Sequence, residues 1–284
     1  MCRTPPGASR LPPGVCYGGT PVTTERTWPH PEVAEDLAAL RREAPLTHCI
    51  TNLVADNFTA NVLLAVGASP AMVIAREEAA GFAAIAHALL VNVGTITAPD
   101  AQAMQLAAAG ARAAGRPWVL DPVGAGALPY RTGVVAELLK HRPSIIRGTA
   151  SEILAVAGTT GGGKGVESTT GSAEALPRAR ELAGRLGAVV AVSGATDYVT
   201  DGNEIVGVPG GHVLATRVTA TGCALGAVMA ALAGAGRSPL RAAVAASVLF
   251  KVAAERAARS TQLPGSFAVA FLDQLALVGT EREG

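Results

Sequence analysis

A threonine- and glycine-rich turn that leads straight into an alanine-rich helix is the strongest chemical feature of the sequence. The turn reads Val218-Thr219-Ala220-Thr221-Gly222-Cys223. Because a helix start offers free N–H groups and the positive end of the dipole, the turn suits a phosphoryl group in transfer. We expect the same position to lower the pKa of the Cys223 thiol, so that its thiolate could accept a substrate hydroxyl proton. A lone cysteine is more often a small buried hydrophobe, and the preceding turn is what favours chemistry.

Two acidic residues follow apolar runs at positions that suit magnesium. Asp121 closes the run Trp118-Val119-Leu120 and precedes a glycine-rich loop, where backbone can approach a ligand closely. Glu152 comes at the start of the next helix. Carboxylates hold Mg²⁺ directly or through water. The alternatives stay open, because Asp121 could be a turn residue before proline and Glu152 the acid of a capping box with Thr149.

Three further residues have types that suit ligand binding. Arg147 closes a run of isoleucines, where contact with phosphate is more natural than a solvated role. Asn52 could orient the polar edge of a ring, and Met72 could pack against an apolar heterocycle. Asn is also a common helix N-cap and Met a common core filler, so structural roles remain alternatives for both residues.

The elements that must position these residues alternate along the chain, which is typical of a mainly parallel sheet covered on both faces. Asp201-Gly202-Asn203 predicts a hairpin at a late, antiparallel edge of the sheet. We therefore expect one α/β domain over residues 28–284, after a disordered Pro/Gly-rich extension over residues 1–27. Strands are predicted at 71–75, 88–93, 118–121, 144–147 and 188–193; helices at 56–66, 77–87, 99–114, 132–141, 173–186, 223–233, 239–259 and 267–277.

Composition excludes several classes of protein. The 284 residues carry 23 basic and 22 acidic side chains, without a block of like charge that would attract nucleic acid or a membrane surface. The apolar stretch 220–236 predicts a buried core helix in preference to a membrane span. The four cysteines lack the spacing of a zinc site, so we expect free thiols and a cytoplasmic protein.

The motifs together resemble the hydroxyethylthiazole kinases, which belong to the ribokinase-like superfamily. The resemblance runs from Thr47 to about Phe250. Its segments are 48–52, 57–61, 67–70, 92–95, 121–125 and 218–223. Their order and spacing, more than any one motif, carry the similarity, which implies a ribokinase-like α/β fold.

The resemblance also implies an activity. It is the ATP-dependent phosphorylation of the hydroxyl of 4-methyl-5-(2-hydroxyethyl)thiazole, in thiamine biosynthesis or salvage, by a homotrimer with sites between subunits. Cys223 would be the catalytic residue, at a position where many relatives carry Asp. The resemblance assigns the thiazole to Met72, Asn52, Ala220 and Gly222, ATP to Arg147, Ser193, Asn92 and Thr219, and Mg²⁺ to Asp121 and Glu152.

Two departures from the family pattern concern the substrate turn and the Glu152 helix. Ala220 replaces a usual Gly, so its methyl group could narrow the pocket, and Thr149 replaces a common Asn. Other reactions on the same scaffold remain alternatives, namely hydroxymethylpyrimidine phosphorylation and nucleotide-dependent repair of a hydrated nicotinamide cofactor. A non-catalytic trimer that binds nucleotide or thiazole is the alternative from another class.

Overall fold

A nine-stranded mixed sheet organises the computed structural model, which describes residues 16–17, 20–21, 24–159 and 171–280. The strand order is β3-β11-β10-β9-β8-β7-β6-β4-β5, and the strands from β9 to β5 are parallel. β10 is antiparallel to both neighbours, and β1 pairs only with β2. The strands are β1 Cys16–Tyr17, β2 Thr20–Pro21, β3 Thr24–Glu25, β4 Leu46–Ile50, β5 Ser69–Ala71, β6 Ala88–Asn92, β7 Trp118–Asp121, β8 Ile145–Thr149, β9 Val189–Ser193, β10 Asp197–Thr200 and β11 Ile205–Val208.

Helices cover both faces of the sheet, and each face has its own apolar core. α1, α2, α8, α9 and α10 contribute to one core, and α3 to α7 contribute to the other. The helices are α1 Pro31–Glu43, α2 Asp56–Ala65, α3 Arg76–Ile85, α4 Ala98–Ala113, α5 Pro129–Leu138, α6 Ala150–Thr159, α7 Leu176–Leu186, α8 Thr221–Gly234, α9 Pro239–Ser260 and α10 Pro264–Leu277. This architecture confirms the expected fold class.

The alanine-rich helix α8 lies in the middle of its layer. Every residue from 224 to 233 is buried, and the helix packs on β4, β6, β7 and α9. Small side chains allow this close approach to the sheet. The prediction of a buried core helix is confirmed, and across the described ranges no helix is long and apolar enough to cross a membrane.

Parallel pairing brings the carboxyl ends of the central strands to one edge of the sheet. Asn92 on β6 lies opposite Asp121 on β7, and Thr149 on β8 lies opposite Ser193 on β9. Ligands of open α/β sheets bind beyond this edge. The sheet therefore gathers residues that are far apart in the sequence.

The elements differ from the predictions in three ways. First, the predicted strand at 71–75 is wrong, because β5 is a three-residue edge strand that leaves the sheet at Ala71. Second, β4 and α1 are present although no element was predicted there.

The third difference concerns the expected disordered extension. Thr24–Glu25 pairs in parallel with β11, and Arg26 N donates to Gly207 O at 2.9 Å. Such pairing uses backbone groups alone, so the composition of the segment does not reveal it. Of residues 1–23, only 16–17 and 20–21 lie among the described residues, so most of the expected extension falls outside them.

Candidate active site

The turn before α8 has a strained backbone at Ala220. This residue has φ +70° and ψ −8°, in the left-handed region that favours glycine. Thr221 Oγ1 donates to Val218 O at 2.9 Å and closes the turn. Gly222 and Cys223 follow in the first helical turn, as the sequence predicted.

A chain of hydrogen bonds connects Cys223 to the strand ends. Asn52 Nδ2 donates to Cys223 Sγ at 3.3 Å and to Asn92 Oδ1 at 2.9 Å. Asn92 Nδ2 in turn donates to Asp121 Oδ2 at 2.8 Å, and Arg147 Nη1 lies 3.5 Å from the same oxygen. The chain thus joins five of the predicted site residues through contacts that are largely buried.

Arg147 connects this chain to β9 and to α8. Its Nε and Nη2 atoms donate to Ser193 Oγ at 3.2 and 3.0 Å. A Cβ atom at Gly222 would lie 2.8 Å from Arg147 Nη2, so only glycine lets the helix start approach the guanidinium this closely. A buried cation beneath free helix N–H groups forms a site for an anion.

The carboxylate of Asp121 is fully buried between Asn92 and Arg147. Burial raises the pKa of Asp121 to about 7, and the neighbouring Arg147 cation opposes that rise. Within the part of the chain that the structure describes, Oδ1 is buried without a hydrogen-bond partner. An unpaired buried oxygen is unfavourable unless a ligand or cation completes it.

The carboxylate of Glu152 accepts three hydrogen bonds. Gly124 N donates to Oε1 at 2.9 Å, and Thr149 N and Oγ1 both donate to Oε2 at 2.8 Å. The glutamate half of the predicted capping box with Thr149 is therefore present at the start of α6, since the Glu152 carboxylate accepts from Thr149 N. Glu152 also ties this helix to the loop that follows Asp121, so it lies near that carboxylate and raises its pKa.

The carboxylates of Asp121 and Glu152 fit a Mg²⁺ ion that takes its remaining ligands from phosphates and water. Mg²⁺ needs only one or two carboxylates when phosphates and water supply the remaining ligands. Asp121 Oδ1 is available as one ligand, with Glu152 beside it. In the described residues no group of three or more His, Cys, Asp or Glu side chains could hold a metal ion without such help.

The expected thiolate at Cys223 is not supported. Burial raises the pKa of the Cys223 thiol, and the Asp121 carboxylate adds to the rise. The Asn52 hydrogen bond and the Arg147 charge act in the opposite direction and are weaker. The prediction of a lowered pKa was wrong because it considered the helix start and not the burial of the thiol, or the Asp121 carboxylate nearby.

A cavity of about 610 Å³ opens beside Arg147 and the start of α8. Its lining includes the polar residues Arg147, Ser193 and Thr221 and the apolar residues Val213, Phe250 and Phe271. The volume is in the range of small-molecule and cofactor sites. A lining that combines a cation and hydroxyl groups with apolar and aromatic side chains suits a ligand that carries phosphates on an aromatic base.

Thr219 and Met72 are not among the residues that line this cavity. Thr219 is exposed in the turn before α8. Met72 is half-buried directly after β5 and packs against the core on its face of the sheet. His48 Nε2 donates to Val73 O at 2.7 Å and so holds the segment that carries Met72. β4 and β5 are neighbours, so Met72 and Asn52 follow adjacent strands at the same edge.

Sequence reasoning missed Thr95 and Lys251. Thr95 has φ +49°, and its Oγ1 accepts a hydrogen bond from Leu53 N at 3.0 Å. Lys251, on α9, lines the cavity. Gly94, directly before Thr95, marks a strand end and could have pointed to Thr95, whereas no local motif marks Lys251.

The mixed α/β sheet with its site at the carboxyl ends of the strands is similar to structures of the ribokinase-like class. A ribokinase-like superfamily protein from Enterococcus faecalis V583 is similar to this chain in structure, with a TM-score of 0.61. The alignment covers 88% of this chain and 95% of that one at 11% identity, which supports a ribokinase-like fold.

The family follows from stronger similarity. The model of the hydroxyethylthiazole kinase family matches residues 37–281. A hydroxyethylthiazole kinase from Leptospira interrogans is 56% identical over 258 residues, which cover 91% of this chain and 97% of the relative. One from Klebsiella pneumoniae is 58% identical over 236 residues, 83% of this chain and 91% of the relative. The solved structure of hydroxyethylthiazole kinase protein from Pyrococcus horikoshii OT3 has 40% identity and a TM-score of 0.81, and covers 87% of this chain and 93% of that chain. The chain belongs to the hydroxyethylthiazole kinase family.

Proposed function

We propose that this protein transfers the γ-phosphoryl group of ATP to the hydroxyl of 4-methyl-5-(2-hydroxyethyl)thiazole, a step of thiamine biosynthesis or salvage. Family membership supports the reaction. The observation that carries it in this chain is the hydrogen-bonded series from Cys223 to Arg147, which ends at the cavity beside α8. An alcohol at Cys223 and a phosphate at Arg147 would meet at one helix start.

ATP would occupy the cavity with its phosphates toward Arg147 and Ser193. The guanidinium and the first N–H groups of α8 would balance the charge that spreads over the transferred group. Asn92 would orient Asp121 through its hydrogen bond and would lie beside the nucleotide phosphates, and Thr219 would contact the nucleotide from the exposed turn.

The thiazole would lie on the other side of the helix start. Asn52 is hydrogen-bonded to Cys223 and would orient the polar edge of the ring, whereas Met72 would cover its apolar face. Ala220 and Gly222 would let the hydroxyethyl group approach the backbone of the turn. The methyl group of Ala220 would restrict that approach, so it tunes the preference for the alcohol.

Asp121 and Glu152 would hold Mg²⁺ together with the phosphates. When bound, the ion neutralises phosphate charge and aligns the transferred group. The unpaired Oδ1 of Asp121 supports the assignment. Binding of Mg²⁺ requires an ionised Asp121. Because the pKa of Asp121 is raised to about 7 before the cation is bound, the site loses this charge as the pH falls through neutrality, and Mg²⁺ binding should weaken.

Cys223 would orient the attacking hydroxyl as a neutral thiol. Its raised pKa argues against a thiolate base. Phosphoryl transfer needs little covalent or basic help, because positioning and charge stabilisation supply most of the acceleration. The hydroxyl would release its proton late, when the bond to phosphorus is forming, and an oxygen of the transferred phosphoryl group would accept that proton.

We also propose a cytoplasmic homotrimer with the thiazole pocket between subunits. Four apolar side chains near the proposed thiazole contacts Asn52 and Met72 are largely exposed. They are Leu53, Val54, Leu64 and Ile74. Apolar surface of this kind suits a subunit contact. The free thiols at Cys49 and Cys223 suit a reducing compartment.

An ATP-consumption assay with two alcohols tests the proposal. The purified protein is supplied with Mg²⁺, ATP and either hydroxyethylthiazole or a hydroxymethylpyrimidine. We expect ADP to form with the thiazole and at background rate with the pyrimidine. Turnover of the pyrimidine alone would assign another reaction to the scaffold, and turnover of neither alcohol would leave a binding protein.

A further inference from the structure

Lys251 on α9 lies at the wall of the proposed nucleotide cavity with its ammonium group fully engaged. Its Nζ atom is 2.6 Å from Gly194 O, 3.2 Å from Ala195 O and 3.0 Å from Asp197 Oδ1. An ammonium group has three N–H donors, and here each has an acceptor in the segment 194–197, which comprises the loop after β9 and the first residue of β10. Lys251 therefore holds this loop and has no donor left for a phosphate.

The acceptors of Lys251 belong to a loop folded around a buried acid. Asp197 is only 5% exposed, and its Oδ1 accepts a hydrogen bond from Gly194 N at 2.9 Å. A buried carboxylate without a cation is unfavourable. Removal of the Lys251 ammonium should therefore release both the acid and the two carbonyl groups, and the loop should move.

One turn further along α9, Glu255 holds the second loop of the cavity. Its Oε1 accepts a hydrogen bond from Gly211 N at 2.8 Å. Gly210 and Gly211 have φ +105° and +90°, which requires glycine. A Cβ atom at Gly210 would collide with Glu255 Oε1, and one at Gly211 would lie 2.9 Å from Lys251 Cδ. The loop lies directly on the two α9 side chains.

Both loops are walls of the same cavity. Gly194, Ala195 and Asp197 line it from the β9 side, and Gly210 and Gly211 line it from the β11 side. Arg147 and Ser193, the proposed phosphate contacts, line the same cavity, and Ser193 directly precedes the Gly194 wall. Because residues at i and i+4 share one helix face, a single stripe of α9 sets the distance between the two walls.

We propose that Lys251 and Glu255 are positioning residues for the nucleotide. These two side chains hold the two glycine-containing loops in place as walls of the cavity. Nucleotide affinity therefore depends on Lys251 and Glu255, although neither side chain contacts a phosphate. The inference rests on the proposed use of ATP and adds to it two residues outside the family motifs.

Lys251→Met tests the inference, because it removes the ammonium and keeps an unbranched side chain. We expect the KM for ATP to rise about tenfold or more, as for loss of a charged hydrogen bond. The kcat and the KM for the thiazole should change by less than about twofold, since no interaction specific to the transition state is lost. Lys140→Met is the matched control, because Lys140 pairs with Glu137 at 2.6 Å on the surface; it should leave all three constants unchanged.

Two variants of Glu255 test the inference even if Lys251→Met does not fold. Glu255→Gln keeps an oxygen that can accept from Gly211 N, whereas Glu255→Leu does not. We expect the KM for ATP to stay near the wild-type value in Glu255→Gln and to rise in Glu255→Leu, with kcat preserved in both. Equal KM values for ATP in Glu255→Leu and wild type would contradict the role of Glu255.

Direct titration separates a wall from a phosphate contact. In Lys251→Met, adenosine and ATP should lose affinity by the same factor. A loss confined to ATP would mean that Lys251 binds phosphate, and unchanged affinity for both would mean that it has no role; either result overturns the inference. If the wild type binds ATP but does not phosphorylate the thiazole, the proposed substrate is wrong, whereas parallel losses of adenosine and ATP affinity still support the inference.

Discussion

Ala220 combines backbone strain with a place in the proposed substrate pocket. Its φ of +70° is unfavourable for a residue with a Cβ atom, and Thr221 and Gly222 depend on the same turn. Strain retained at such a position points to a functional constraint. The methyl group therefore has two separable effects, one on stability and one on substrate preference.

Ala220→Gly should separate these effects. We expect the free energy of unfolding to rise by about 0.5–1 kcal/mol, because relief of strain outweighs the greater freedom of glycine in the unfolded chain. The KM for the thiazole should change, and alcohols larger than the thiazole should be accepted more readily. Ala44→Gly is the control: Ala44 has φ +41° at the end of α1, so it should stabilise similarly with unchanged kinetics. Loss of stability in Ala220→Gly would contradict the assignment of strain.

Alkylation of Cys223 measures the state of its thiol. Because burial raises its pKa, the folded protein should have less thiolate at neutral pH than a free cysteine, and alkylation should be slower. The rate should rise with pH to a midpoint above that of a cysteine peptide, as followed by peptide mass spectrometry. Cys49 is fully buried and should react only after unfolding. A midpoint below that of the peptide would restore the thiolate hypothesis.

The sequence selected candidate site residues where a local rule applied and missed them where it did not. Asp121 ends β7, Arg147 follows the isoleucine run of β8, and Cys223 lies in the first turn of α8, so local position alone selected them. Lys251 lies in the middle of α9, and its partners are in a loop more than fifty residues away. The predicted pKa of Cys223 was wrong for a similar reason, because both the burial of its thiol and the approach of Asp121 arise only in the folded protein.

At the scale of elements, the central parallel strands and the antiparallel β10–β11 hairpin were predictable, whereas β4 and the edge strands β3 and β5 were not. β6, β7 and β9 are continuous apolar runs because both faces of the sheet are covered. β4 contains Thr47 and His48, buried polar residues that break such a run, although it lies between β6 and β5. β3 joins the opposite edge with exposed side chains, so only its backbone pairing defines it.

Glu152→Gln tests whether the start of α6 does more than cap a helix. The variant keeps one oxygen acceptor but places an NH₂ group against an N–H donor, so stability should fall by about 1–2 kcal/mol. The Mg²⁺ concentration for half-maximal activity should also rise. Asp100→Asn is the control, since Asp100 caps α4 through Thr97 N at 2.9 Å. It should lower stability similarly without an effect on Mg²⁺, and the same behaviour in Glu152→Gln would leave Glu152 with a structural role alone.

At the scale of the whole molecule, the proposed trimer makes the exposed apolar surface a requirement for activity. Leu53 is 82% exposed directly after Asn52. Leu53→Asp should separate the subunits, lower the sedimentation mass to that of one chain and reduce turnover in parallel. Val269→Asp is the control, because Val269 is 65% exposed on α10 and should leave mass and turnover unchanged. A monomeric wild-type protein with full activity would contradict the trimer.

The identity and amount of the phosphorylated product test the central claim most directly. With wild-type protein, Mg²⁺, ATP and hydroxyethylthiazole, mass spectrometry should find one thiazole monophosphate for each ADP formed. Asp121→Asn keeps the shape of the buried side chain but removes its charge, so it should abolish both products together. ADP formed without a thiazole phosphate, or a thiazole phosphate formed at the wild-type rate by Asp121→Asn, would contradict the account.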